Sequence, residues 1–310
     1  MNPESFLAQN DVASLIMALN HFAIKISSAS ERQDVLESAG IDTALLSNLK
    51  LDTKPSNFAA ALVAAFRTYR ISNQRRDYHP LVSLLKHLCE LAPIYGISEY
   101  NIALFTRLVE QGEDNFKALA ARSSVARIES PKGTAIGTGV LIQNNVLLTC
   151  YHVFSKSQVE QAWVRFNYAA GNYTFDSDVF KLDLNATKHS SQIDYTLVKV
   201  KGELQQQTAT PTNTVLNSGQ EIRLIHHPQG KQIVISEIGQ IVQLGEDYID
   251  HNISADYGSS GAPIFNRNWQ LVAIHRGNLG IGRATHTIEQ GVTSGVPLSA
   301  FWKDIETYFF

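Results

Sequence analysis

The stretch Asp256-Tyr257-Gly258-Ser259-Ser260-Gly261-Ala262-Pro263-Ile264-Phe265-Asn266 sets a serine beside two glycines and runs straight into an apolar segment. Most glycine-rich turns only bend the chain. A serine that serves as an acyl-transfer nucleophile needs more: a base to take its proton, a carboxylate to orient that base, and N–H donors for the oxyanion. Gly258, two residues before Ser260, permits the backbone twist that aims the N–H groups of Gly258 and Ser260 into one small hole. Gly261 leaves room for a substrate beside the hydroxyl. His152 ends the segment Val146-Leu147-Leu148-Thr149-Cys150-Tyr151-His152, and Asp194 opens Asp194-Tyr195-Thr196-Leu197-Val198-Lys199-Val200. Singly, His152 reads as a core histidine and Asp194 as a turn or cap residue. Jointly, each beside an apolar segment, they point to a His-Asp-Ser triad in that order along the chain.

The elements that must carry these residues are short strands. From Ser123 onward, apolar runs alternate with turn residues such as Asn144-Asn145, Pro228-Gln229-Gly230 and Asn266-Arg267-Asn268. Strands are predicted around 137–150, 194–200, 221–227, 231–244, 262–266 and 270–277, and a helix at 299–310. Many strands at even spacing suggest barrels or a sandwich.

Before Ser123 the period is helical. Leu81, Leu84, Leu85, Leu88 and Leu91 line one face, as do Phe58, Leu62, Val63, Phe66 and Tyr69 on an earlier segment. Ser30 with Gln33 reads as a capping box, Gly40 as a helix stop, and Pro55, Pro80 and Pro93 fall near segment ends. About six short helices are predicted. The expected boundary divides an interaction domain over 1–122 from a second domain over 123–310. His21, His79 and His87 lack metal-ligand spacing and read as surface or core residues. His226, His227, His251 and His286 raise the idea of a metal, but no Cys/His pair spacing supports zinc. Neither metal nor cofactor is expected.

Composition narrows the partners. The 310 residues are 44% hydrophobic, enough for two cores, and carry a net charge of −3. The charge is spread evenly: 12 basic against 13 acidic residues through Ser124, and 14 against 16 after it. No basic face is implied, which argues against nucleic acid or an anionic membrane surface. The first residues lack a cationic signal region, and no apolar run has the length of a membrane span. With only Cys89 and Cys150, a reducing cytoplasm is the expected compartment.

The blocks around His152, Asp194 and Ser260 resemble those of the trypsin-like serine peptidases, and residues 295–305 are similar to that superfamily's closing strand and helix. The resemblance, over about residues 125 to 310, implies two six-stranded β-barrels with the site in the cleft between them. It implies His152 as general base and acid, Asp194 as the orienting carboxylate, Ser260 as nucleophile, and Gly258 and Ser260 as the oxyanion hole. Ser254, Ala255, His275, Arg276, Gly277 and Gly295 would line the substrate pocket. His275 stands in Ala273-Ile274-His275-Arg276-Gly277, similar to a segment of the glutamyl endopeptidases in which the histidine meets a substrate carboxylate. The alternative is that it lends only backbone to the substrate strand, and a small or acidic residue is expected before the cut. Arg276 would add positive potential at the pocket mouth, and Asp256 would oppose an acidic group. No carboxylate takes the place that binds Lys or Arg in trypsin, where Ser254 stands. Secreted zymogens of the superfamily carry an aspartate before the nucleophile to receive a freed N-terminal amine; here that place is Ser259. Cys150 is expected as a small buried hydrophobe.

Residues 3 to 115 resemble the effector-associated domains of bacterial conflict systems, small six-helix modules related to death-fold adaptors. The implied fold is multidomain α + β: a death-fold-like six-helix bundle, then a chymotrypsin-like double β-barrel. The implied function is a cytosolic serine endopeptidase in a bacterial antiviral system. A sensor or effector protein with a matching helical domain would activate or recruit it, with homo-oligomers also expected. The competing reading is an inactive protease-like scaffold that acts through its helical adaptor.

Overall fold

The computed structural model describes residues 6–71, 75, 77–155, 159–168, 178–277 and 291–308. The chain divides into two compact units, Asn2–Leu119 and Ala120–Phe310.

In the first unit helices α1 (Gln9–Lys25), α2 (Ala29–Ser38), α3 (Thr43–Leu46), α4 (Pro55–Phe66), α5 (Pro80–Glu90), α6 (Ala92–Tyr95) and the start of α7 (Glu99–Ser123) follow one another; α3 and α6 are single turns. The predicted faces of α4 and α5 are the buried ones: Phe58, Leu62, Val63 and Phe66, with Leu81, Leu84, Leu85 and Leu88, join Leu15, Leu19 and Phe22 of α1 in one core. Pro55 and Pro80 take first-turn positions, where a missing N–H breaks nothing. Gly40 follows α2 at φ +73°, the left-handed stop that glycine adopts freely. The capping box lies two residues earlier than the sequence reading placed it. The Ser28 side chain accepts from the Glu31 N–H, and the Glu31 carboxylate accepts from the Ser28 N–H. Ser30 is inside the helix, and Gln33 donates to Glu37 instead.

The second unit holds two barrels. Strands β1 (Val125–Glu129), β2 (Ala135–Ile142), β3 (Val146–Thr149), β4 (Trp163–Phe166), β5 (Val179–Ser190) and β6 (Tyr195–Val200) close in the order β1-β2-β3-β6-β5-β4, with the single turn α8 (His152–Ser155) after β3. Asn144 and Asn145 both take positive φ between β2 and β3, the two-residue turn their side chains favour. Strands β7 (Glu221–His226), β8 (Val234–Ile235), β9 (Gly239–Leu244), β10 (Ile249–His251), β11 (Pro263–Asn266), β12 (Leu271–Gly277) and β13 (Thr293–Pro297) follow. The order β11-β12-β13-β10-β9-β7, closed by β11–β7 pairing, makes a second six-stranded barrel with β8 attached to β7. Its core is Ile222, Leu224, Ile241, Ile249, Ile264, Val272 and Ala273. The chain then passes through a 3-10 turn, Leu298–Phe301, into α9 (Trp302–Glu306). Where one long terminal helix was expected, a short one forms. Both units match the predicted class, helices followed by a double barrel. No helix among the described residues is long and apolar enough to cross a membrane.

Candidate active site

Strand β3 ends at Thr149, and the sharp turn into α8 brings His152 inward, 4% exposed. Asp194 sits at the start of β6, fully buried and at φ +73°. Its carboxylate makes two bonds to one residue: Oδ1 accepts from the His152 backbone N–H at 2.9 Å, and Oδ2 pairs with His152 Nδ1 at 2.8 Å. With the carboxylate accepting, the ring proton resides on Nδ1. Nε2 is left as an acceptor, buried and with no partner among the described residues. That is the tautomer a general base requires. No hydrogen bond joins Ser260 Oγ to this nitrogen; unliganded sites often close that contact only around substrate.

Cys150, two residues before the base, does more than fill space. Its thiol is buried and donates to the His275 carbonyl at 3.3 Å. Burial, and then the charge of Asp194, push its pKa well above the ordinary thiol value. Cys150, His152 and Asp194 do bring possible metal-ligand atoms within 4.8 Å of one another. A thiol held protonated beside an imidazole whose Nδ1–H is already given to the carboxylate is a poor donor set for a metal.

The serine turn is gripped from several sides. Gly258 has φ +87° and Gly261 φ +81°. A Cβ on Gly258 would come within 2.7 Å of the His227 carbonyl, and one on Gly261 within 2.0 Å of Thr149 Oγ1 and 2.3 Å of the Thr138 carbonyl. Only glycine fits either place. The Tyr257 carbonyl accepts from the Gln229 N–H, and the Ser259 carbonyl from the Ala262 N–H. In a trans peptide the N–H points opposite to its C=O. The N–H groups of Gly258 and Ser260 are therefore turned away from these partners, and neither has an acceptor among the described residues. The Ser260 carbonyl is held by the Thr138 N–H at 2.9 Å, and the Gly258 carbonyl by Thr138 Oγ1 at 2.7 Å.

The predicted pocket residues divide. Gly277 has φ +85°, and among the described residues a Cβ there would meet only His275 Nε2, at 3.9 Å. His275 and Gly277 thus lie side by side, with Ala255 half-buried and Ser254 exposed on the segment after β10. Gly295 serves the barrel: a Cβ would run into the Ile274 carbonyl and the side chains of Ile264 and Ile249. Arg276 is not at a pocket mouth. It is 2% exposed, and Nη2 donates to Ser294 Oγ at 3.0 Å. The cause is a bulge in the β12–β13 register between His275 and Gly277, which breaks side-chain alternation there. Asp256 accepts from Gln229 Nε2 at 2.6 Å, facing the Pro228–Gly230 turn. His286 lies outside the described residues.

Behind His275 stand Thr293, which sequence reasoning missed, and His251, which it weighed only as a metal ligand. His251 Nε2 is 3.2 Å from His275 Nδ1, and Thr293 Oγ1 is within 3.4 Å of both His251 ring nitrogens while donating to the Ile253 carbonyl. Their only sequence signal is cross-strand register, β10 against β13, which pairs His251 with Thr293. The protons can be traced. The Ile253 N–H donates to His251 Nδ1, so the His251 proton is on Nε2 and is given to His275 Nδ1. The His275 proton is then on Nε2, beside Gly277. Burial depresses the pKa of His251 to about 4 and that of His275 well below the ordinary value, so both are neutral at pH 7.

Residues 137–274 match the trypsin-like peptidase domain, and residues 9–122 match effector-associated domain 8. The chain is similar to glutamyl endopeptidase of Staphylococcus aureus strain N315, 24% identical over 235 residues that cover 67% of this chain and 66% of the relative. The enzyme of that name from strain MW2 is 24% identical over 207 residues, 61% of each chain. The chain thus spans just under two thirds of the length of the first of these relatives. A serine endoprotease from Yersinia pestis superposes at a TM-score of 0.49 and 18% identity, covering 63% of this chain and 66% of that one.

Proposed function

We propose that this chain, which joins an effector-associated domain to a trypsin-like peptidase domain, is a serine endopeptidase. The observation that carries the reading is His152 held twice by Asp194 with Nε2 left free, on the unit that also carries the Ser260 turn. In this reading Ser260 Oγ attacks the scissile carbonyl while His152 Nε2 takes its proton. Asp194 stabilises the imidazolium, and the N–H groups of Gly258 and Ser260 hold the oxyanion, each such donor being worth about 10²–10³ in rate. Collapse expels the amine, which takes the proton from Nε2. Water then repeats the sequence on the acyl-enzyme. Ser260→Ala should end labelling by a fluorophosphonate probe and lower cleavage by about 10³-fold or more. Persisting cleavage would mean another nucleophile; a wild type that neither labels nor cleaves would favour a protease-like scaffold.

The neutral His251–His275 pair supports a preference for a side chain that accepts hydrogen bonds before the cut, foremost glutamate. The His275 Nε2–H is a donor, and a bound carboxylate raises the proton affinity of the pair. Glutamyl endopeptidases among the relatives fit this choice. In a peptide library, strong cleavage after Lys or Arg would refute it.

The helical unit is assigned to protein association: with a sensor or effector that carries a matching death-fold-like domain, or with a second copy, in a cytoplasmic antiviral system. Met17 and Ile24, one face apart by seven residues on α1, are 61% and 59% exposed and suit such a contact. Clustering through this unit would recruit or activate the peptidase. Charged substitutions at Met17 and Ile24 should weaken association of the full chain at least tenfold and leave fluorophosphonate labelling of the unpartnered protein unchanged.

A further inference from the structure

The Ser260 turn has one polar contact that the chemistry above does not use. Ser259 is fully buried, and its Oγ is 2.8 Å from Nδ1 of His226, itself 5% exposed at the end of β7. The same Oγ accepts from the Asp256 N–H at 3.3 Å. The hydroxyl proton has no other acceptor among the described residues, so Ser259 donates to His226 Nδ1 and the imidazole carries its proton on Nε2.

We infer that His226, acting through Ser259, is a positioning residue that holds the 256–261 turn with the Gly258 and Ser260 N–H groups open to the cleft. The contact ties the middle of the turn to β7. The turn's other anchors lie to either side of Ser259: Gln229, whose N–H binds the Tyr257 carbonyl and whose Nε2 binds the Asp256 carboxylate, Thr138 on the Gly258 and Ser260 carbonyls, and the His275 carbonyl on the Gly261 N–H. The Ser259 peptide groups bond only to chain neighbours, the N–H to the Asp256 carbonyl and the carbonyl to the Ala262 N–H, so among the described residues the Ser259 side chain is what ties this residue to another strand. A buried hydroxyl without its acceptor is unfavourable, and its loss would favour a turned peptide that points a carbonyl into the hole. In this arrangement the donors are set by groups already inside the barrel unit, with no cut elsewhere in the chain required to form them.

The inference rests on the peptidase reading, and the test separates the two. His226→Leu, which removes the acceptor at similar volume, should lower kcat about 10- to 100-fold with KM changed less than threefold. His226→Asn, which can keep an acceptor near the Nδ1 position, should recover most of that loss. Ser259→Ala should match His226→Leu, and the double variant should be no worse than either single one. Additive losses, a loss confined to KM, or equal kcat in the Leu and Asn variants would overturn the inference. Tryptophan fluorescence checks that each variant folds; should His226→Leu fail there, Ser259→Ala against wild type carries the kcat comparison. Nitrogen NMR of His226 reads the contact without turnover. It should show an unprotonated, hydrogen-bonded Nδ1 that shifts in Ser259→Ala. If the wild type proves inert toward fluorophosphonate, the peptidase reading fails, and an unshifted Nδ1 in Ser259→Ala would separately dismiss the contact.

Discussion

The two units of this chain bury polar groups by different means. Among the described residues the helical unit buries few, and its one fully enclosed cation, Arg32, is satisfied by carbonyls. Nε donates to Ile26, Nη1 donates to Leu51 and Thr53, and the guanidinium lies 4.6 Å from the Phe58 ring centroid. The barrel unit buries a carboxylate between two arginines: Glu129 accepts from Arg127 and Arg165 and from the Gly133 N–H. It also buries five histidines, His152, His226, His227, His251 and His275. A bundle that associates with partners needs only shape and an apolar core. A site that moves protons needs ionisable groups in a low dielectric, and the surrounding fold must tolerate them.

That difference makes acid the largest lever between the units. Burial lowers the pKa of His226, His227 and His251 from 6.5 to about 4, and that of His275 well below 6.5. The helical unit has one such group, His79, also at about 4. The unfolded chain takes up these protons below pH 6.5 and the folded units do not. Stability is therefore complete above pH 6.5 and is lost as pH falls from 6.5 toward 4, by about 3 kcal/mol for each histidine held near 4. Three such losses, at His226, His227 and His251, already reach the range of an ordinary domain's whole stability, roughly 5–15 kcal/mol, and His275 acts in the same direction. All three tryptophans, Trp163, Trp269 and Trp302, are in the barrel unit. Their fluorescence should report unfolding between pH 6 and 4 while helical ellipticity at 222 nm persists. Loss of both signals together, or of the helical one first, would break the comparison.

A smaller effect comes from the two buried charge sites. Glu129→Gln leaves Arg127 and Arg165 facing each other without their carboxylate and should cost the barrel unit about 3–5 kcal/mol. Arg32→Met strands three carbonyls but keeps an apolar stem, and should cost the helical unit about 2–3 kcal/mol. Denaturant melts followed by fluorescence and by ellipticity should assign each loss to its own unit. A Glu129→Gln protein with an unchanged fluorescence midpoint would show the ion network to be neutral.

Much of this was legible in the sequence because it is local. The helical faces of α4 and α5 follow from the spacing of their leucines and phenylalanines, and the Asn144-Asn145 turn from side chains that tolerate positive φ. The sequence also brought His152 and Asp194 to attention, since each borders an apolar strand. What it hid is set by partners distant along the chain. Thr293 meets His251 across 42 residues, and no periodicity announces that contact. Arg276 is buried because a bulge shifts β12 against β13, and alternation read from the chain cannot foresee a bulge. Strand β10 has three residues, too short for any pattern, and the half-exposed β5 carries too many polar residues for one.

The smallest prediction concerns a place where two local signals competed. Ser27, Ser28 and Ser30 crowd the start of α2, and Ser30 with Gln33 has the spacing of a capping box as surely as Ser28 with Glu31. Charge decides between them. The Glu31 carboxylate, its pKa lowered first by the Ser28 backbone N–H and then by the Ser28 hydroxyl, binds the cap better than a neutral amide. Once Ser28 is the cap, Ser30 falls on the second helical position and Gln33 reaches forward to Glu37. Ser28→Ala should therefore destabilise the helical unit by about 1 kcal/mol, visible in the ellipticity melt and absent from the fluorescence melt. Ser30→Ala should move neither by more than about 0.5 kcal/mol. A larger loss from Ser30→Ala than from Ser28→Ala would return the cap to the register that the sequence first suggests.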